Sequence, residues 1–187
     1  MALTFVTSNQ HKFEEVSELA RKLGVEIVQY KWRYTEIQAD DLEEIARASA
    51  MEVSAKLGRP CFVEDAGLFV KALNGFPGPY SNYIFRTIGN PGILKLMSGV
   101  KDRSAEFRSA VGYCEPGEEP VVFVGRVEGR IAEEARGTGG FGFDPIFIAL
   151  ESDGRTFAEM VVSEKNLYSH RARAVDRFLN WFIEVKR

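Results

Sequence analysis

Four short segments of the 187-residue chain concentrate side chains able to do chemistry. The first is Thr7-Ser8-Asn9-Gln10-His11-Lys12, lying between a short apolar run and residues with helical spacing. Ser8 or Asn9 suits the N-cap of that helix, and the free N–H groups of a first turn, with the macrodipole, make a place for an anion such as phosphate. Lys12 opposes that dipole by about 0.3–1 kcal/mol, which predicts a negative group beside it. A capped surface helix with a solvated lysine would read the same way. The second segment is Glu64-Asp65, at the exit of an apolar run, with Glu36 earlier in the chain. Side chains alternate along a strand, so the two neighbouring acids point to opposite faces and one of them serves a site directly. Mg²⁺ takes one or two carboxylates plus substrate phosphate oxygens, which one of these acids and Glu36 would supply. Solvated acids at a strand end are the alternative.

The third segment, Gly137-Thr138-Gly139-Gly140-Phe141-Gly142-Phe143-Asp144-Pro145, satisfies G-x-G-x-x-G at Gly137, Gly139 and Gly142. That pattern signals a dinucleotide site only where a helix opens at its end. Here Asp144-Pro145 and an apolar strand follow, so the glycines would instead let backbone approach a planar ligand, with Phe141 or Phe143 as the stacking face. The fourth is Ser163-Glu164-Lys165-Asn166-Leu167-Tyr168-Ser169-His170-Arg171, donors gathered around the start of the last helix. His170 and Arg171 oppose a helix dipole as Lys12 does, although surface charge on an amphipathic helix would look alike.

These segments are carried by an alternation of elements. Leu3, Phe5 and Val6 read as a buried strand; Phe13, Val16, Leu19, Ala20 and Leu23 form a helical face that Gly24 ends. A strand over 26–30, an irregular stretch to Ala39, and a helix opened by an Asp41/Glu44 capping box follow. That helix presents Leu42, Ile45, Ala46, Ser49, Val53 and Leu57 and stops at Gly58 and Pro60. A third strand over 61–63 is followed by a new apolar run at 68–70, a Gly/Pro-rich loop at 75–81 and a short helix around 91–98. Two β-rich runs, 105–114 and 121–131, look like an antiparallel hairpin; 146–150 is a strand, and Val175, Phe178, Leu179, Phe182 and Val185 face inward from a closing helix. Strand and helix alternate at first, which favours an α/β layered domain.

Composition removes several function classes. With 45% hydrophobic and 27% charged residues the chain is an ordinary globular one, long enough to bury about 70% of its extended surface without metals or disulfides. A net charge of −3 argues against non-specific binding of nucleic acid or acidic membrane, so an anionic ligand must be held by a few placed cations. Cys61 and Cys114 both sit in apolar runs, as small buried hydrophobes would, which suggests a reducing cytoplasm. The stretch from Met1 to Thr7 is too short for a signal peptide, and no segment approaches a membrane span.

Taken in order, TSNQHK (7–12), TEIQAD (35–40), VEDAGL (63–68), ALNGFPGPYS (72–81), GTGGFGFDPIF (137–147), TFAEM (156–160) and SEKNLYSHRARA (163–174) resemble the inosine triphosphate pyrophosphatase family, the XTP/dITP diphosphatases. The resemblance implies an elongated α/β fold: a single two-lobed domain over 1–187, with a central mixed β-sheet flanked by helices, a cleft between the lobes, and usually a homodimer. It implies Mg²⁺-dependent hydrolysis of deaminated purine nucleoside triphosphates (ITP, dITP, XTP) to the monophosphate and pyrophosphate, which cleanses the nucleotide pool. By resemblance Thr7, Ser8, Asn9, Gln10, His11 and Lys12 form the triphosphate turn, with Lys12 catalytic. Glu36 and Asp65 are the implied metal ligands, and Asp65 also the base toward water. Phe141, Gly142, Phe143 and Asp144 form the base loop, with Phe141 stacking, while Lys165, His170 and Arg171 read the purine. Ala66 stands where many members have Ser, leaving only its backbone amide for substrate. Bacterial members also carry a Lys in the helix before the third strand, where this chain has Ala46-Arg47-Ala48-Ser49-Ala50; Arg47 and Lys56 are the two candidate substitutes, and neither is assigned a catalytic role. Two rival readings are a Maf-like pyrophosphatase of modified nucleotides and a nucleotide-binding module without turnover.

Overall fold

The computed structural model describes residues 2–186; Met1 and Arg187, the ends of the expected 1–187 domain, lie outside the described residues. In chain order the elements are β1 (Leu3–Val6), α1 (Gln10–Lys22), β2 (Ile27–Tyr30), α2 (Leu42–Leu57), β3 (Cys61–Val70), β4 (Pro77–Gly78), α3 (Ser81–Thr87), α4 (Gly89–Leu96), β5 (Ser104–Cys114), β6 (Val121–Ile131), β7 (Phe147–Ala149), α5 (Val162–Lys165) and α6 (His170–Lys186). Single 3-10 turns occupy Lys71–Leu73, Asp144–Ile146 and Phe157–Glu159. The sheet runs β2-β1-β3-β5-β6-β7, with β4 paired to β3. It is mixed: β1 lies parallel to β2 and β3, while β3/β4 and β6/β7 are antiparallel. The chain divides into two compact units. Unit 1 comprises Met1–Asp65, Ser109–Gly125 and Arg171–Arg187; unit 2 comprises Ala66–Arg108 and Arg126–His170.

Unit 1 has a core of its own. Leu3, Phe5, Val16, Ala20, Phe62, Val111, Tyr113, Val175, Phe178 and Leu179 bury together, with Phe5 stacked on Phe62 at 4.5 Å and Phe62 against Phe178 at 4.9 Å. This is the expected apolar face of α1 meeting that of α6, except that Val185 of the expected α6 face is exposed. Asn9 caps α1 by accepting from Lys12 N–H. Asp41 caps α2, but its carboxylate accepts from Glu43 N–H rather than completing a box with Glu44. Glycine matters at Gly112, where a Cβ would lie 2.4 Å from the Ala46 carbonyl oxygen of α2.

Unit 2 packs Leu68, Val70, Ile93, Met97, Phe107, Val127, Ile131, Ile146, Phe147 and Phe157 around an aromatic cluster in which Phe107 and Phe147 meet at 4.6 Å. The loop expected at 75–81 contains the two-residue β4, paired to β3 by Leu68 opposite Gly78. Helix α3 was not visible in the apolar spacing, because Tyr83 and Phe85 are exposed. The expected break after residue 63 is absent: β3 runs unbroken from Cys61 to Val70, so Glu64 and Asp65 lie within a strand rather than at its exit.

Candidate active site

Glu64 anchors the charged groups of unit 1. It is buried, and Lys12 Nζ pairs with its Oε2 at 2.9 Å and donates to its main-chain carbonyl at 2.9 Å. Arg171 Nε lies 3.1 Å from Glu64 Oε1, and the Ser109 hydroxyl donates to the same oxygen at 2.5 Å. The other face of the Arg171 guanidinium donates to Glu15 Oε2 at 2.5 Å. Burial alone would raise the Glu64 carboxyl; Arg171 and Lys12, with the Ser109 hydrogen bond, hold it far below the ordinary carboxylate range. Burial likewise opposes the Arg171 charge, and Glu64 and Glu15 keep it protonated. The negative group predicted beside Lys12 is therefore Glu64, and it also neutralises Arg171. The guanidinium expected to help read the purine is thus held by two carboxylates of its own unit.

The turn before α1 is fixed by its own side chains. Asn9 N–H donates to Thr7 Oγ1 at 3.1 Å, Lys12 N–H to Asn9 Oδ1 at 3.2 Å, and Gln29 fixes the Thr7 carbonyl at 3.2 Å. Ser8, Gln10 and His11 are exposed, and Gln10 donates to Glu14 at 3.2 Å. Glu36 is exposed and Asp65 half-buried. The Tyr34 phenol is held well above its ordinary value, first by burial and then by the negative charges of Glu36, Asp65 and Glu64. Tyr34 had no signal in the sequence beyond lying two residues before Glu36. Among the described residues no cluster of three or more His, Cys, Asp or Glu side chains forms a metal cage. Arg47 donates to the Pro120 carbonyl at 2.8 Å, and Lys56 pairs with Glu52 while lying over the Trp32 ring. Both alternatives for the missing lysine are thus engaged elsewhere in unit 1.

Unit 2 carries the aromatic half of the predicted set. Lys165 Nζ pairs with Asp144 Oδ2 at 2.6 Å, both side chains being almost wholly buried, and lies 4.9 Å from the centre of the Phe141 ring. The same Asp144 oxygen accepts from Phe141 N–H at 2.9 Å. His170 is buried, its ring stacked on Phe107 at 4.5 Å and 11°. Phe143, one of two candidates for a stacking face, is a core residue against which Phe85 packs edge-on at 5.5 Å; Phe141 is the half-buried one. Two of the glycines are required by the loop's own packing. A Cβ on Gly137 would lie 2.4 Å from the Ala158 carbonyl carbon, and Gly139 N–H donates to Ala158 O at 2.9 Å. No helix opens after Gly142, only one 3-10 turn and then β7, so the dinucleotide reading is excluded. Ala66 is half-buried at the start of the unit 2 part of β3.

A sequence model of the Ham1 family matches residues 3–181. The chain belongs to the Ham1 family. It is 56% identical to the dITP/XTP pyrophosphatase of Methanosarcina mazei over 97% of both chains, and 53% identical to that of Thermococcus kodakarensis over 98% of both. Among solved structures, a HAM1 protein from Coxiella burnetii superposes with a TM-score of 0.86 at 29% identity, covering 99% of this chain and 100% of that one. The nucleoside-triphosphatase / dITP/XTP pyrophosphatase of Mycobacterium abscessus gives 0.72 at 33% identity over 96% and 99%. This Ham1 membership agrees with the resemblance drawn from the seven sequence segments, and the mixed α/β sheet is the fold it implied.

The sequence named Lys12 with Glu64 and Lys165 with Asp144, but not the further residues that hold Arg171, Glu64 and His170. Glu15, Ser109 and Phe107 were missed. Glu15 had a signal, since it stands one residue before Val16 and three after Lys12, a charge on a helix face otherwise turned to the core.

Proposed function

We propose that this chain hydrolyses deaminated purine nucleoside triphosphates (ITP, dITP and XTP) to the monophosphate and pyrophosphate. The observation that carries the reading is near-full-length similarity, above half identity, to enzymes named dITP/XTP pyrophosphatase. In this reading Thr7, Ser8, Asn9 and the N–H groups opening α1 bind phosphate oxygens, and Lys12, oriented by Glu64, neutralises charge on the departing pyrophosphate. Glu36 and Asp65 would hold Mg²⁺, since both offer the hard carboxylate oxygens it prefers, and a two-carboxylate set would leave room for phosphate oxygens and water. The ion supplies charge neutralisation on the phosphates. Asp65 accepts a proton from the attacking water as its oxygen bonds to the α-phosphorus and the bridging P–O bond to pyrophosphate breaks.

For the base, Phe141 stacks and Lys165, positioned by Asp144, reads the 6-oxo group. Adenine offers an amino donor there, which leaves a buried donor unpaired at a cost of about 1–3 kcal/mol. Arg171, held by Glu15 and Glu64, keeps the purine-reading role that the family resemblance implies. A cytoplasmic, homodimeric nucleotide-pool cleanser completes the reading, and a light-scattering mass of one chain would remove the dimer.

The test is pyrophosphate release with Mg²⁺ across ITP, XTP, dITP, ATP, GTP and CTP, with products separated by chromatography. Monophosphate from ITP and XTP, with ATP nearly inert, is expected. Asp65→Asn should abolish turnover while nucleotide still binds. Orthophosphate with a diphosphate product would move the attack to the terminal phosphorus, and faster turnover of a modified pyrimidine triphosphate would favour a Maf-like activity.

A further inference from the structure

The base loop of unit 2 has a support that none of the sequence motifs includes. Asn90, in the first turn of α4, donates from Nδ2 to the carbonyl of Gly142 at 3.1 Å. Its Oδ1 is buried with no partner among the described residues. Reversing the amide would set two oxygens against each other, so the Gly142 carbonyl dictates its orientation. Asn90 is half-buried, and a buried, unpaired Oδ1 is costly if the residue's task is only to fill space. What it holds is the residue between Phe141 and Phe143. Gly142 sits at φ +62 with open space where a Cβ would be, so it has neither side-chain packing nor an ordinary backbone well to fix it. On the other side the loop is already pinned, by Asp144 to the Phe141 N–H and by Lys165 to Asp144. Helix α3 adds Phe85 against Phe143.

We propose that Asn90 is a positioning residue for base recognition: its hydrogen bond to Gly142 fixes the turn that aims the Phe141 ring, and so sets the affinity for the purine rather than the rate of phosphate chemistry. The proposal rests on the base-reading assignment of Phe141 and Lys165 made above. Asn90 acts through the loop and touches no reacting atom.

Asn90→Ala and Asn90→Gln test it, with Phe141→Ala as the reference for base reading. Asn90→Ala is expected to raise KM for ITP roughly 3- to 10-fold, the range for one lost hydrogen bond, with kcat within about twofold. Inhibition by inorganic pyrophosphate, which carries no base, should stay unchanged, and Asn90→Gln should recover part of the KM. Calorimetric Kd values for inosine monophosphate, taken on the same variants, should move with KM. An unchanged KM and Kd in Asn90→Ala overturns the proposal, as does a fall in kcat with weakened pyrophosphate inhibition, which would mark a general structural defect. If Phe141→Ala raises KM and Asn90→Ala does not, only the role of Asn90 falls; if neither does, the base-reading assignment falls with it.

Discussion

Glu64 joins two cations that lie far apart in the chain, and its chemistry follows from that. Removing one partner from a buried charged group is costly because the charges left behind have no water to solvate them. Glu64→Gln should therefore lower stability at neutral pH by about 3–5 kcal/mol, measured by urea unfolding. The pH dependence has a defined sign. An unfolded Glu titrates near 4.5 and the folded Glu64 well below it, so its contribution is complete above the unfolded value and fades as pH falls through the ordinary carboxylate range. The gap between native chain and variant should narrow from pH 6 to pH 3; parallel curves would refute the buried pairing. Half of this arrangement was legible. Lys12 in a first helical turn demanded a counter-charge, and an acid at residue 64 or 65 was at hand. The other half was not, because Arg171 meets Glu15 across 156 residues of sequence, a distance over which no local pattern carries information.

Elements were legible where burial leaves a period in the sequence, and illegible where chemistry interrupts it. The faces of α1 and α2 were read from apolar spacing, whereas Glu64-Asp65 looked like the end of β3, because buried ion pairs leave no apolar trace within a strand. Close packing between elements is likewise visible only in three dimensions. Gly112 of β5 stands where any side chain would press into the α2 backbone at Ala46, which is backbone and cannot move aside as a flexible side chain would. Gly112→Ala should lower the unfolding free energy by about 1–3 kcal/mol through overpacking. Its KM for ITP should not change, since Gly112 touches none of the residues assigned to substrate. A variant with native stability would mean that α2 shifts freely, and that the close approach is not a constraint on the fold.

At the scale of the whole molecule, the chain passes between its two units at four points, three of them inside β3, β5 and β6, so no linker marks the division in the sequence. That is why composition and punctuation gave one domain over 1–187 without revealing where its cores separate. Each unit nevertheless buries its own aromatic cluster: Phe178 with Phe62, Tyr113 and Phe123 in one, Phe147 with Phe107 and Phe157 in the other. Phe178→Ala and Phe147→Ala should each cost about 3–5 kcal/mol, a large share of the roughly 5–15 kcal/mol that holds a typical domain folded. Native-state hydrogen exchange locates the loss. Because the contacts removed belong to one cluster, Phe178→Ala should speed exchange first in 3–65 and 171–186, and Phe147→Ala first in 126–170. If either variant instead accelerates exchange evenly along the chain, the three shared strands transmit the loss, and the two cores act as one cooperative unit despite their separate contacts.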